Sequence, residues 1–471
     1  MPSPWNRPSC PASPLVSWKF GVSSPIHIIG AGLAGSEAAW QIARRGLRAV
    51  LHEMRPVRST PAHRTDRLAE LVCSNSLKSE TESTAPWLLK EELRRLDSFL
   101  LDVAARARVP GGQALTVDRD VFSNQVTAAI AAEPLIALRR EEVTAIPPEP
   151  IVIVATGPLT SDALAADVAR LTGSERLFFY DAISPIVDAD SVDMSVVFRA
   201  SRYGKSVDGT GDYLNCPLDR DRYERFVDAL LEAQPVAAHI AEDRTPFFEA
   251  CLPIEELARR GRDTLRFGPM KPVGLADPRT GRRPYAAVQL RQENLRARSF
   301  NLVGFQNHLK FADQARVLRM IPGLENAEFL RFGQIHRNTY INAPALVSTT
   351  LQLRAAPRVF FAGQISGVEG YVEAIATGLM GGLHAVELAS GIAPRRFPRE
   401  TALGSLCHYI SCADARDYQP ANITFDLLPP LDEAARHPLR HDKRARHAEV
   451  CRRAREALEQ HLGCATLHVR T

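Results

Sequence analysis

Residues 26–53 read IHIIGAGLAGSEAAWQIARRGLRAVLHE: a short apolar run, a glycine-rich break, a helical stretch and a second apolar run. That order predicts strand, tight turn, helix, strand. Residues 151–157, IVIVATG, form a β-branched run suited to a buried parallel strand that ends in a small-residue turn. Residues 359–382, VFFAGQISGVEGYVEAIATGLMGG, again read as strand, small-residue turn and helix. Neither later segment could form a domain alone, so the pattern predicts one α/β nucleotide-binding domain interrupted by insertions. A plainer reading of 359–382 is a packed helix with small residues at an interface. In residues 86–103, Leu89, Leu93, Leu96, Leu100 and Val103 recur at 4-3-4-3 spacing, which predicts a single amphipathic helix lying on a core.

Composition narrows the class. At 471 residues, with 45% hydrophobic and 24% charged positions, the chain has ample material for two or three domains and resembles neither a disordered nor a fibrous protein. It contains no run of the ~18 apolar residues that a membrane-spanning helix needs, and residues 1–24 lack the apolar core of a secretory signal, so a cytoplasmic protein is expected. Eight cysteines, at 10, 73, 216, 251, 407, 412, 451 and 464, are too sparse for a disulfide framework, and none forms a CxxC zinc pair. Any that matters should act as a thiol, and no metal site is expected. The net charge of +4 is too small to establish a nucleic-acid partner but leaves room for local basic surface.

The glycine break follows G-x-G-x-x-G, with Gly30, Gly32 and Gly35 separated by Ala31, Leu33 and Ala34. Gly30 would make the turn, Gly32 would let a pyrophosphate approach the backbone, and Gly35 would allow close helix-to-strand packing. The second strand ends in Glu53, placed so that its carboxylate could accept hydrogen bonds from ribose hydroxyls. An N-terminal dinucleotide turn, a central ATG strand end and a C-terminal AG segment together resemble flavoproteins of the glutathione-reductase type, which implies FAD. Gly363 and Gln364 would then lie near the ribityl chain, with the positive end of the following helix near the flavin.

Two thiols stand out. Cys73 lies in LVCSNSLKS, whose neighbours make a poor apolar strand and a good polar loop. Cys251, in FFEACLPIEELARRG, precedes a proline that opens a helical pattern with acidic residues in its first turn, where the helix dipole would favour a thiolate.

The segments HIIGAGLAGSEAA, LAELVCSNSLKS, VDRDVFSNQVT, GDYLNCPL, FFEACLPIEELARRG, FGPMKPVGLADPRTGRRPYAAVQLRQEN, FGQIHRNTYINAP and FFAGQISGVEGYVEAIATG occur in an order that resembles the bacterial folate- and FAD-dependent tRNA (uracil-5-)-methyltransferases. The likeness spans about residues 25–462 and is more specific than the glycine turn, which is also shared by a larger tRNA-modifying FAD family. It implies a glutathione-reductase-type FAD domain interrupted by an insertion domain. It further implies transfer of a methylene group from 5,10-methylenetetrahydrofolate to C5 of a T-loop uridine (position 54) of tRNA, reduced through FAD by NADH or NADPH. The matched segments imply Cys251 as the nucleophile on uracil C6. Cys73 would be the second thiol, a base on C5 or a covalent holder of the flavin-borne methylene.

The expected organisation is a disordered leader (1–24), a first FAD-domain part (25–180), an RNA-facing insertion domain carrying Cys251 (181–344), a last FAD-domain part (345–400) and a C-terminal segment with a basic helix (401–471). Two arginine-rich stretches, 278–298 and 437–455, are candidate RNA surfaces, with Arg282, Arg283, Arg444 and Arg446 as phosphate ligands. His336 could line the folate or flavin site. Two departures from the family pattern are Gln113, where packing near the flavin would be affected, and Lys78, where Arg is familiar. The same chemistry on a 23S rRNA uridine, a non-catalytic flavin-containing tRNA-binding protein, and a small-molecule NADH–flavin oxidoreductase stay open as competing readings.

Overall fold

The computed structural model describes residues 24–173, 177–206, 209, 211–236, 252–416 and 418–468; for 177–182, 335–337 and 464–468 it describes the backbone alone. The expected leader, apart from Ser24, lies outside the described residues, as does Cys251.

Strand β1 (Ile26–Ile29), helix α1 (Leu33–Ala43) and strand β2 (Ala49–Glu53) start a six-stranded sheet. Its order is Gln352–Leu353, Ala356–Phe361, Val152–Val154, β1, β2, Ile136–Arg140. Every pairing is parallel except the hairpin at its edge between Gln352–Leu353 and Ala356–Phe361. The parallel strands are covered on their faces, which is why IHII and VIV are buried throughout. The three strand ends singled out in the sequence thus meet side by side, Ile29 and Phe361 both pairing with Val154.

Helix Tyr371–Ala389 lies across α1 at very close range. A Cβ on Gly378 would stand 2.3 Å from the carbonyl oxygen of Ala34, and one on Gly382 would stand 2.9 Å from that of Ala38. The small residues of this segment are therefore a helix interface, as the plainer reading has it. The expected order of strand, turn and helix is also present, as Ala356–Phe361, a turn through Gly363 and Gly367, and Tyr371–Ala389.

Residues 86–103 depart from expectation. Instead of one helix there are two, Ala85–Arg95 and Phe99–Arg106. Asp97 adopts φ +56, and Ser98 caps the second helix by accepting from the Leu101 N–H. The buried carboxylate of Glu37 on α1 then accepts from Ser98 Oγ and from the N–H groups of Phe99 and Leu100 at 2.9–3.1 Å. The leucine stripe is buried as its spacing suggests, but cap chemistry breaks the axis. Glu92 repeats the device, accepting from the N–H groups of Ala402 and Leu403 at the start of helix Ala402–Cys412.

A second hydrophobic core forms around an antiparallel sheet ordered Phe198–Arg199, Tyr213–Leu218, Ala286–Gln292, Ser299–Leu302, Ile186–Asp188, Phe329–Arg331. The antiparallel ribbon Leu177–Ala182 with Ile335–Tyr340 joins this unit to the first. Residues from Ile341 onward, including Cys407, Cys451 and Ala454 of the C-terminal helices, belong to the first core. Among the described residues no helix is long and apolar enough to cross a membrane.

The 278–298 stretch is not one basic surface. Ala286–Gln292 is a buried strand, Arg291 is buried with it, and Arg279 is paired to Asp277, while Arg282 and Arg283 before the strand and Arg296 and Arg298 after it are exposed. Arg444 is exposed and Arg446 half-buried near the start of helix Lys443–His468, on the other core. Gln113 is exposed on the turn after Gly112 and does not line the cleft described below.

Candidate active site

A cleft of about 1320 Å³, its open mouth included, runs along the C-terminal ends of the parallel strands, where open α/β sheets bind ligands. Its lining includes Glu53, the turn residues Gly30, Gly32, Leu33 and Ala34, and Gly363, Gln364, Tyr371 and Cys73. Ala155, Thr156 and Gly157 of the ATG turn also face it.

Each position follows from local geometry. Gly30 has φ +99, and a Cβ there would sit 2.6 Å from the Ala155 carbonyl, so backbone sign and neighbouring strand both exclude a side chain. Gly32, the residue before α1, would meet nothing within 4 Å, leaving bare backbone open to the cleft. The first N–H groups of a helix have no intrahelical partner, so this end favours an anion. Gly35 and Ala31 do not line the cleft. A Cβ on Gly35 would fall 1.8 Å from the Gly30 carbonyl, while the Ala31 N–H donates to Glu53 Oε2 at 3.2 Å.

Glu53 is buried and held. Its Oε1 accepts from Arg55 Nε at 2.8 Å and from the Arg55 N–H at 3.0 Å. Burial opposes its charge, but Arg55 outweighs it and keeps the carboxyl below the ordinary carboxylate range. An ionised, oriented carboxylate at the end of β2 suits ribose hydroxyls. Bare glycine backbone, two helix starts and this acid form a cradle that fits FAD.

The loop bearing Cys73 lines the same cleft. Tyr371, the first residue of its helix, places its hydroxyl where the oxygen accepts from the N–H groups of Cys73 at 2.8 Å and Ser74 at 3.1 Å. Burial and the neighbouring Cys73 raise the phenol's pKa, so it stays protonated. The loop is tied to both cores. Arg119 donates to the carbonyl oxygens of Leu71 and Cys73 and pairs with Glu293 at 2.6 Å, and Arg291 of the insertion unit donates to Ser74 Oγ at 2.9 Å. Asn75 Nδ2 donates to the carbonyls of Val117 and Gln292. Lys78 Nζ reaches Glu373 Oε1 and Asn422 Oδ1, both at 2.5 Å, binding the loop's far end to the Tyr371 helix.

Of the residues singled out in the sequence, Gly30, Gly32, Leu33, Ala34, Glu53, Cys73, Gly363 and Gln364 therefore share one cleft. Arg282, Arg283, Arg444 and Arg446 do not line it. The side chain of His336 is not among those described. Cys216, Cys407 and Cys451 are buried, and burial raises their thiol pKa values, as expected of packing residues. Sequence reasoning missed Tyr371, Arg119, Arg291 and Arg331. Only Tyr371 carried a local signal, an aromatic residue following Gly370 at a helix start. No group of three metal-ligating side chains occurs among the described residues.

Comparison with known proteins agrees with this geometry. Residues 25–393 match the family described as Glucose inhibited division protein A. The solved structure of Aquifex aeolicus GidA superposes with a TM-score of 0.63 at 16% identity, covering 96% of this chain and 77% of that one, which shows a shared fold. Methylenetetrahydrofolate–tRNA-(uracil-5-)-methyltransferase TrmFO of Solibacter usitatus is 75% identical over 440 residues, 93% of this chain and 99% of that protein. The protein of the same name from Koribacter versatilis is 64% identical over 430 residues, 91% of this chain and 96% of that one. With the cleft, the cradle and near-complete coverage in agreement, the chain belongs to the methylenetetrahydrofolate–tRNA-(uracil-5-)-methyltransferase family.

Proposed function

We propose that the chain methylates uridine C5 in the tRNA T-loop, at position 54, with 5,10-methylenetetrahydrofolate as carbon donor. The observation that carries this reading is that Cys73 and the dinucleotide cradle line one cleft in a member of this family.

Bound in the cradle, FAD would supply the two electrons that reduce the transferred methylene to a methyl, replenished by NADH or NADPH. The chain's own residues do the rest. Glu53 and the Gly30–Gly32 backbone hold the dinucleotide, and Gly363, Gln364 and Tyr371 shape the end that meets the reactants. Uracil C5 is a weak nucleophile until a thiolate adds to C6, and Cys251 is assigned that addition. The new carbon–sulfur bond places the electron pair at C5, which attacks the methylene carbon carried on a folate nitrogen. Cys73, beside the cradle, is assigned removal of the C5 proton; the electron pair so released breaks the methylene's bond to that nitrogen, tetrahydrofolate leaves, and two electrons and a proton delivered to the methylene would then break the Cys251–C6 bond and release the thiolate. Arg282, Arg283, Arg444 and Arg446 are assigned to phosphate contact, and the reaction to the cytoplasm.

The test is incubation with labelled methylenetetrahydrofolate, NADPH and an unmodified tRNA transcript beside a 23S rRNA fragment, with the methyluridine mapped. Label at position 54 of the tRNA alone is expected. Cys251→Ala and Cys73→Ala should each abolish it while the flavin spectrum stays intact. Label only in the rRNA, or undiminished product from either variant, overturns the assignment concerned.

A further inference from the structure

Behind the Cys73 loop lies a second cavity, of about 780 Å³ with its mouth included, lined by both cores. Residues 64–65 and 70–71 separate it from the main cleft, and Glu70 borders both. Four acids and three arginines line it. The acids are all engaged. Glu70 accepts from Arg55, Asp120 from Arg67, Glu293 from Arg119, and Asp118 from the N–H groups of Asp120, Val121 and Leu295.

Arg331 is different. It is 7% exposed, its Nε has no hydrogen-bond partner, and among the described residues no carboxylate pairs with it. Arg64 stands exposed on the same wall. Burying an unpaired guanidinium is strongly unfavourable unless a counter-charge arrives. Burial and the charges of Arg119 and Arg64 accordingly push its pKa down to about 10. Arg331 stands at the junction of the two units, on a cavity that borders the segment leading to Cys73.

We propose that this cavity binds an oxyanion carried by a reactant, with Arg331 as its buried ligand and Arg64 at the rim. The inference rests on the function proposed above, which brings two anionic reactants here: the phosphate backbone of RNA and the glutamyl carboxylates of folate. Both offer the paired oxygens that a guanidinium fork accepts. Filling the cavity would also press on the 70–73 segment and so steady Cys73.

The experiment uses the flavin-loaded protein and Arg331→Gln. Three affinities are measured: unmodified tRNA transcript by filter binding, polyglutamylated tetrahydrofolate by equilibrium dialysis, and inorganic phosphate by thermal shift. Wild type should be stabilised by phosphate, and the variant should not be. The variant should also lose about tenfold in affinity for one reactant, RNA if the anion is phosphate, folate if it is carboxylate, with the flavin spectrum unchanged. Leu330→Glu, on the exposed rim of the same cavity, supplies an internal carboxylate and should reproduce the loss if Arg331→Gln fails to fold. Unchanged affinity for both reactants and an unchanged phosphate shift overturn the proposal. If wild type methylates no RNA yet keeps a phosphate shift that Arg331→Gln removes, the functional reading fails and the anion cavity stands.

Discussion

Tyr371→Phe removes one oxygen and isolates the tie between the Tyr371 helix and the Cys73 loop. That oxygen accepts two backbone N–H groups, at 2.8 and 3.1 Å, and phenylalanine offers neither an acceptor. Leaving a buried donor unpaired costs ~1–3 kcal/mol, so two donors held rigidly would cost up to about 6 kcal/mol. Cys73 and Ser74 are only half-buried, so water can reach the loop once it shifts, which brings the expected cost near the lower end, about 2 kcal/mol. At ~1.4 kcal/mol per factor of ten, local opening of the loop becomes roughly thirtyfold more frequent. Hydrogen exchange of the peptide spanning 71–76, followed by mass spectrometry, reads that change directly. The amides of Cys73 and Ser74 should exchange about thirtyfold faster while peptides of β1 and α1 and the flavin absorbance stay as they were. Methyl transfer should fall, because the thiol no longer keeps one position for the C5 proton. Unaltered exchange across 71–76 together with full turnover would refute the claim that Tyr371 positions the loop.

Two further outcomes follow from the same packing and charge. Gly378→Ala places a methyl 2.3 Å from the Ala34 carbonyl, so α1 and its partner helix must separate. A loss of about 1–3 kcal/mol or more in denaturant unfolding is expected, with weaker flavin retention, and equal stability would show that the helices can slide apart freely. Burial raises the Glu92 carboxyl from 4.5 to about 8, against the pull of the Leu403 and Ala402 N–H groups. Between those values the unfolded chain is ionised and the folded chain protonated, so stability should fall as pH rises from about 4.5 to 8 and level off above. At ~1.4 kcal/mol per unit the contribution is on the order of several kcal/mol. Melting curves from pH 5 to 8.5 should show a flatter slope in Glu92→Gln than in wild type; equal slopes would place the titration elsewhere.

Much of the nucleotide half was legible in the sequence because its signals are local. Gly30 needs positive φ, Gly35 has no room for a Cβ, and β-branched runs mark strands buried on both faces; each constraint acts within a few residues and leaves a pattern. Glu53 is readable for the same reason, since one βαβ unit sets its distance from the glycines. The likeness of LVCSNSLKS and EACLPIEE to one enzyme family supplied the thiols, which no periodicity could have done. The single helix expected at 86–103 failed where a distant group intervened: Glu37, on another helix, accepts the N–H groups that start a new axis at Phe99. The stretch 278–298 is discontinuous for a like reason: its middle became a buried strand and turned Arg291 towards Ser74 instead of solvent.

What the chain's letters determine alone, then, is the set of short-range conformations: turns, strand ends, helix faces and the chemistry each can carry. Which of them meet is decided by the tertiary structure. Cys73, Tyr371, Arg119, Arg291 and Arg331 come from separate elements of two cores, and their mutual placement depends on helices closing over glycine and on a ribbon joining two sheets. Hydrogen bonds and charge pairs act over a few ångströms of space whatever the distance along the chain, so a residue such as Arg331 looks ordinary in the sequence and becomes exceptional only when folding buries it with no paired carboxylate among the described residues.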